Sequence, residues 1–233
     1  MDQEIGKSMS PEEIFQASSA TALEMIKDRG WSVPSICVDT TVMLNALGMV
    51  HELLLSGNTH NPRKRYLLVM LMPIQGSLAN FNKSIFDALF KPLLEKSGLG
   101  SAVESIHRVS IIAPLSCTSS FVNTIHTTLC EYMPHITKRH VQLLFFNEVC
   151  FNKIRYHELV PKYSLVPKQT QAETLARYLP VQIDDLEACK RALPKICTSD
   201  PVAKYFFALP GQLLESTAPC PSALETTEIN IVE

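Results

Sequence analysis

His157-Glu158-Leu159-Val160-Pro161 and Asp200-Pro201-Val202-Ala203-Lys204-Tyr205-Phe206 are the two stretches on which the reading of this chain turns. Neither contains a nucleophile–base pair or a metal-ligand set, and each has the makeup of a small packing module. Asp200 is a natural N-cap and Pro201 fits the first helical position, so a brief helix is expected through Tyr205. His157 is expected at a strand end, making a structural hydrogen bond. Leu159, Val160, Val202 and Phe206 are expected in the core, with Lys204 and Tyr205 at the surface as partner contacts.

Working outward, prolines divide the chain after residue 150 into short elements. Helices are expected at Thr170–Tyr178 and Ile183–Leu193. The second has Asp184 and Asp185 in its first turn and Lys190 and Arg191 in its last, which complements the helix dipole. Pro210-Gly211 turns the chain, and Gln212–Thr217 and Thr226–Val232 should pair as strands. The chain before residue 150 reads differently. Ser10-Pro11-Glu12-Glu13 has the form of a capping box opening a helix that Gly30 ends. A second helix is expected over Thr40–Ser56 and a third over Ser84–Lys96, the latter interrupted by Pro92. Buried strands are expected at Tyr66–Met72, at Val109–Ala113 and within His140–Phe151, with a helix over Phe121–Met133. Alternation of strands and helices predicts an α/β first domain, residues 1–152, followed by a small α+β domain, residues 153–233.

The composition narrows the function. Hydrophobic residues make up 46% of the 233 and charged residues 19%, with a formal charge of −2. That balance supports a buried core and argues against nucleic-acid binding driven by charge over the whole surface. Seven scattered cysteines without a C-x-x-C pair read as buried or half-buried thiols in a reducing compartment, not as a disulfide framework or a zinc ribbon. No secretory signal is apparent, and the longest apolar run falls far short of the roughly 20 residues that span a bilayer, so a soluble intracellular protein with no membrane partner is expected. There is no phosphate-cradling glycine loop, nucleophile elbow or H-E-x-x-H. His126, Cys130, His135 and His140 lack a further ligand in register and read as ordinary helix and loop residues, so no metal and no cofactor is expected. Arg63-Lys64-Arg65 is the one local concentration of positive charge.

The two opening stretches resemble the fifth shared subunit of eukaryotic RNA polymerases I, II and III, whose carboxy-terminal domain exists in archaea as a separate small polymerase subunit. The family run H-E-L-V-P-E-H is similar to His157–Tyr163, L-L-A-R-Y to Leu175-Ala176-Arg177-Tyr178, and L-P-R-I to Leu193-Pro194-Lys195-Ile196. Asp200–Phe206 matches D-P-V-A-R-Y-F, and Gly211-Gln212-Leu213-Leu214 follows in order. Earlier in the chain, Lys27–Trp31, Asn61–Arg65 and Cys117–Phe121 are fainter likenesses. The resemblance implies a non-catalytic nuclear polymerase subunit, with the nucleolus as a narrower location. Its α/β amino-terminal jaw domain would flank downstream double-stranded DNA without reading sequence. Its α+β assembly domain would dock on the largest subunit and sit among the other polymerase subunits.

On that reading His157, Glu158, Leu159, Val160, Pro161, Asp200, Pro201, Lys204 and Tyr205 frame the docking module. Arg63, Lys64, Arg65, Thr118, Ser119 and Ser120 would meet the DNA backbone. Two departures suggest a divergent copy, dedicated to one polymerase. The family glycine after the D-P-V-A block is Phe207 here, where positive φ is not expected. No Lys or Arg follows Lys204, while Glu215, Glu225, Glu228 and Glu233 do. The rival readings are a free adaptor built on the docking module and a stand-alone α/β hydrolase or nuclease.

Overall fold

The computed structural model describes residues 10–32, 36–37, 49–57, 64–73, 104–113, 119–178, 186–220, 222 and 224–233. The chain divides into two compact units, Met1–Phe151 and Asn152–Glu233. Both mix helix and sheet.

The first unit opens with α1, Pro11–Asp28. Its capping box forms as the sequence predicts: Ser10 Oγ accepts from the Glu13 amide at 3.2 Å and the Glu13 carboxylate accepts from the Ser10 amide at 2.7 Å. These bonds hold the Glu13 carboxyl below its ordinary range. Ser18, Ala22, Met25 and Ile26 form the buried stripe of the helix. Four strands, β1 (Ile36–Cys37), β2 (Met49–Gly57), β3 (Arg65–Pro73) and β4 (Ile106–Ala113), lead to α2 (Ser119–Tyr132), β5 (Val141–Phe145) and the short α3 (Phe146–Val149). The sheet order is β1-β2-β3-β4-β5. Pairing is antiparallel from β1 to β3 and parallel from β3 to β5.

β2 corrects the expected helix over Thr40–Ser56. Residues 49–57 are extended, with Leu53 opposite Val69 and Gly57 opposite Arg65. The leucines of this stretch fit helical spacing, but β3 runs through the interior and its buried backbone needs a hydrogen-bonding partner on each side. Pairing outweighed local periodicity. Residues 40–48 and the expected helix over 84–96 lie outside the described residues.

A polar network crosses the three parallel strands. Gly30, at φ 78°, ends α1 and brings Arg29 and Trp31 against the sheet. The Arg29 guanidinium donates to the Tyr66 hydroxyl, to Gln142 Oε1 at 3.1 Å and, at 3.4 Å, to Ser110 Oγ. Tyr66 and Ser110 hydroxyls lie 2.5 Å apart, and Ser110 donates to Gln142 at 3.1 Å. The Trp31 and Tyr66 rings meet with centroids 5.3 Å apart. Tyr66 and Ser110 are fully buried, so these bonds satisfy hydroxyls that water cannot reach.

The second unit contains α4 (Lys153–Tyr156), β6 (Lys162–Leu165), a 3₁₀ turn at Lys168–Thr170, α5 (Gln171–Tyr178), α6 (Leu186–Ala192), β7 (Lys195–Ile196), α7 (Pro201–Phe206), β8 (Leu213–Cys220) and β9 (Leu224–Val232). Its sheet runs β6-β8-β9-β7. β8 and β9 pair antiparallel, as the sequence predicts. β6 and β7 were not expected: at four and two residues they are too short for alternation to register. Val166, Leu175, Leu193, Leu213, Ile229 and Ile231 form the core, joined by Leu186 and Cys189. The acidic carboxy terminus belongs to this sheet, and the Glu233 amide donates to the Ile196 carbonyl at 2.9 Å. Among the described cysteines Cys197 is exposed, against the expectation of buried or half-buried thiols.

Phe207 is a second correction. It adopts φ 49°, ψ 44°, the left-handed conformation its side chain was expected to preclude. The Phe207 amide donates to the Lys204 carbonyl at 3.0 Å and the Ala208 amide to the Ala203 carbonyl at 2.9 Å, the double closure of a Schellman helix end. A left-handed residue with a Cβ costs about 1–2 kcal/mol. Phe207 is only 6% exposed, and burying a ring offsets more than that.

Unfolding measurements test both features. Phe207→Ala should lose about 3–5 kcal/mol, and Phe207→Gly should recover about 1 kcal/mol of that, so urea midpoints should fall in the order Phe, Gly, Ala. An alanine variant as stable as the glycine variant would argue against strain at this position. Tyr66→Phe should cost the first unit about 1–3 kcal/mol by stranding buried partners. Fluorescence of Trp31, the chain's single tryptophan, reads that unit directly.

Candidate functional site

Asn152, nearly fully buried, connects the two stretches on which the sequence reading turns. Its Oδ1 accepts from the Arg155 amide at 3.1 Å, capping α4, while its Nδ2 donates to the Tyr205 hydroxyl of α7 at 3.0 Å. Both helices also pack on β6. α7 begins as predicted, with the Asp200 carboxylate accepting from the Val202 amide at 2.8 Å and Pro201 in the first turn. Its apolar side is buried through Val202, Ala203, Tyr205 and Phe206, with the Tyr205 and Phe206 rings edge to face at 5.1 Å.

The stretch after α4 folds as a tight exposed turn. His157 is the C-cap of α4, not a strand end; its amide donates to the Lys153 carbonyl at 3.1 Å. The His157 carbonyl accepts from the Val160 amide at 3.0 Å, and its Nδ1 accepts from the Leu159 amide at 3.3 Å. These local bonds hold the turn in one shape. At its surface stand Leu159, 87% exposed, and Tyr156, 58% exposed, flanking exposed His157 and Glu158.

Two expectations are thereby reversed. Leu159 was expected in the core and is at the surface, while Tyr205 was expected at the surface and is 5% exposed. The hydroxyl of Tyr205 has a buried partner in Asn152, so the ring can enter the core. Leu159 follows a helix end whose turn directs it outward. Val160 and Pro161 are half-buried, Pro201 is exposed and Lys204 half-buried. Tyr156 and Asn152 were missed by sequence reading. An aromatic beside a matched motif was the available signal for Tyr156; nothing local marked Asn152.

The residues expected to meet DNA are only partly described. Arg63 and Thr118 lie outside the described residues. Arg65 begins β3 opposite Ile106, the first residue of β4, with Lys64 exposed just before it. Ser119 and Ser120 open α2, the element that follows β4 in the chain.

The histidine–cysteine group is also dispersed. Cys130 Sγ donates to the Ile136 carbonyl at 3.4 Å, a His135 ring nitrogen lies 2.7 Å from the Ile106 carbonyl oxygen, and the His140 ring accepts from the Thr137 amide at 3.2 Å. His126 Nδ1 is buried without a partner, and burial followed by the charge of Lys138 pushes its pKa down. Among the described residues, no three His, Cys, Asp or Glu side chains are placed to hold a metal ion. Asp184 and Asp185 lie outside the described residues.

Comparison with known proteins places the second unit. Residues 152–229 match the family model of RNA polymerase Rpb5, C-terminal domain. The subunit rpabc1 of DNA-directed RNA polymerases I, II and III from Dictyostelium discoideum is 32% identical over 87 residues, 37% of this chain and 40% of that protein. Its Caenorhabditis elegans counterpart is 30% identical over 120 residues, 52% of this chain and 49% of that one. The archaeal subunit Rpo5 of Methanococcus maripaludis is 28% identical over 80 residues, 34% of this chain and 92% of its own length. The chain thus spans about half or less of the eukaryotic relatives' length and nearly all of the short archaeal one. The matched words fall at the core positions Leu175, Leu193, Val202 and Phe206, so the likeness of the carboxy-terminal unit to the Rpb5 C-terminal domain of RNA polymerase subunits extends to the residues that pack its interior.

Proposed function

We propose that this chain is a non-catalytic subunit of a nuclear DNA-dependent RNA polymerase. Its carboxy-terminal unit docks on the largest subunit, alongside other polymerase subunits, through the turn that carries Tyr156 and Leu159. The observation behind this assignment is an apolar pair displayed on a turn fixed by its own hydrogen bonds, within a domain similar to that of Rpb5. Solvent-facing Leu and Tyr on a rigid support gain by burial against a partner and lose little entropy on docking. Tyrosine is the better anchor of the two, since it combines a large apolar face with a polar tip.

The amino-terminal unit flanks downstream DNA through the basic residues Arg63, Lys64 and Arg65 and the hydroxyl residues Thr118, Ser119 and Ser120. Hydroxyls there position a phosphate backbone without reading bases. The acidic end of the chain favours a dedicated copy. Glu225, Glu228 and Glu233 are exposed around β9, and a surface of that sign prefers a different partner from a basic one.

Affinity purification of the full chain in high salt tests the assignment. The expected result is stoichiometric recovery of one enzyme's largest subunit. Recovery of no largest subunit would sink the subunit reading, loss of the polymerase in salt would favour a free adaptor, and comparable recovery of all three largest subunits would overturn dedication. Tyr156→Ala combined with Leu159→Asp should abolish recovery while changing unfolding stability by less than about 0.5 kcal/mol. Tyr205→Phe should cost about 1 kcal/mol of stability and weaken recovery only in part, because it removes the anchor of α4 and leaves both apolar side chains in place.

A further inference from the structure

β8 and β9 run on past the strands that flank them. β6 pairs with β8 at Leu214–Thr217 and β7 pairs with β9 at Ile231 and Val232, which leaves 218–220 of β8 and 224–230 of β9 without a strand on their outer sides. Backbone direction alternates along β9. The Ile231 amide donates to the Pro194 carbonyl at 2.8 Å and the Glu233 amide to the Ile196 carbonyl at 2.9 Å, both outward. The Val232 amide donates to the Gln212 carbonyl at 2.9 Å, on the β8 side. By the same alternation the N–H and C=O groups of Glu225, Thr227 and Ile229 face the outer edge, where β7 does not reach.

The other edges are closed to a further strand. On β8 the residue opposite Glu225 is Pro219, which has no N–H to donate outward. β6 is four residues long, lies between Pro161 and Pro167, and begins with exposed Lys162. Short strands, prolines and lysines keep an edge from pairing. The open stretch of β9 has none of them. Its charged side chains are the exposed Glu225 and Glu228, three residues apart and so on opposite faces of the ribbon. Glu233 pairs with Lys195 at 2.7 Å, whereas Glu225 and Glu228 form no ion pair among the described residues. No Lys or Arg follows Lys204 to neutralise them. Leu224, at φ 62° and 89% exposed, ends the edge with apolar surface.

We propose that the outer edge of β9, from Glu225 to Ile229, takes an extended segment of a partner protein as a further strand, one carrying Lys or Arg at two positions three residues apart. Main-chain hydrogen bonds to Glu225, Thr227 and Ile229 supply the pairing, and the two glutamates select the sequence. Each cation then lies across from one carboxylate, on opposite faces of the enlarged sheet, and opposite charges so placed stabilise a strand pair. A second copy of this chain fits less well, because pairing two β9 edges sets carboxylates of one chain among those of the other. The turn of Tyr156 and Leu159 leads into β6, at the opposite edge of the sheet, so the proposal does not depend on docking there.

Amide hydrogen exchange of the full chain, read by NMR, tests it. The probe is a short capped peptide of alternating Thr and Val with two Lys three residues apart. At saturating peptide, exchange at the Glu225, Thr227 and Ile229 amides should slow by about tenfold or more, while Thr226 and Glu228, already bonded to β8, should not change. A second peptide that keeps both Lys but has Pro at alternate positions should not bind, because it cannot join a ladder. Glu225→Lys with Glu228→Lys should weaken binding of the first peptide more than about tenfold and admit its counterpart with two Glu, a gain that a misfolded variant cannot show. Thr227→Pro removes an outward N–H and leaves the β8 ladder its bonds, and it should abolish protection by either peptide. Unprotected amides, equal binding of the proline peptide, or a dimer of the chain that Thr227→Pro dissociates would each overturn the proposal.

Discussion

The bond from the Asn152 amide to the Tyr205 hydroxyl is the constraint on which the candidate docking surface rests. A phenol 5% exposed must have a partner, and Asn152 meets that need from the first residue of the second unit. The same amide caps α4 with its oxygen, so its orientation is set from both ends. Because α4 is anchored in this way, the turn that follows it shows Tyr156 and Leu159 to solvent in one arrangement. An unanchored turn would lose more entropy on meeting a partner and bind correspondingly less well.

The end of α7 shows how such a unit tolerates a local conflict. A glycine would reach the left-handed conformation at position 207 without steric cost, yet a phenylalanine occupies it. The ring is buried, and its apolar contacts exceed the strain of about 1–2 kcal/mol. Leu224 also has positive φ, at 62°, but is 89% exposed and gains no comparable burial. The same backbone strain is therefore offset at one position and uncompensated at the other.

The legible parts of the fold were those specified by neighbours in sequence. The capping box at Ser10, the cap at Asp200 and the β8–β9 pair are local devices, and each appears where residue order places it. The β2 strand was misread because its partner is β3, and local periodicity carries no information about which strand will need an edge. At the candidate site, the importance of the His157 and Asp200 stretches was legible, but the roles within them were not. Tyr205 was read as a surface aromatic because Asn152, 53 positions away, is what allows it to be buried. Leu159 was read as core because apolar side chains usually are.

Residue order alone determined the carboxy-terminal likeness to a polymerase subunit, the starts of α1 and α7 and the lack of basic side chains after Lys204, since these depend on identity, spacing and charge. Tertiary structure alone decided which side chains face outward, that Lys64 and Lys138 stand at the same ends of β3 and β5, and whether a phenylalanine can take a left-handed turn. Those outcomes depend on strand direction and on contacts between distant segments. Parallel pairing of β3, β4 and β5 collects the amino ends of three strands at one edge. No window along the sequence contains that arrangement.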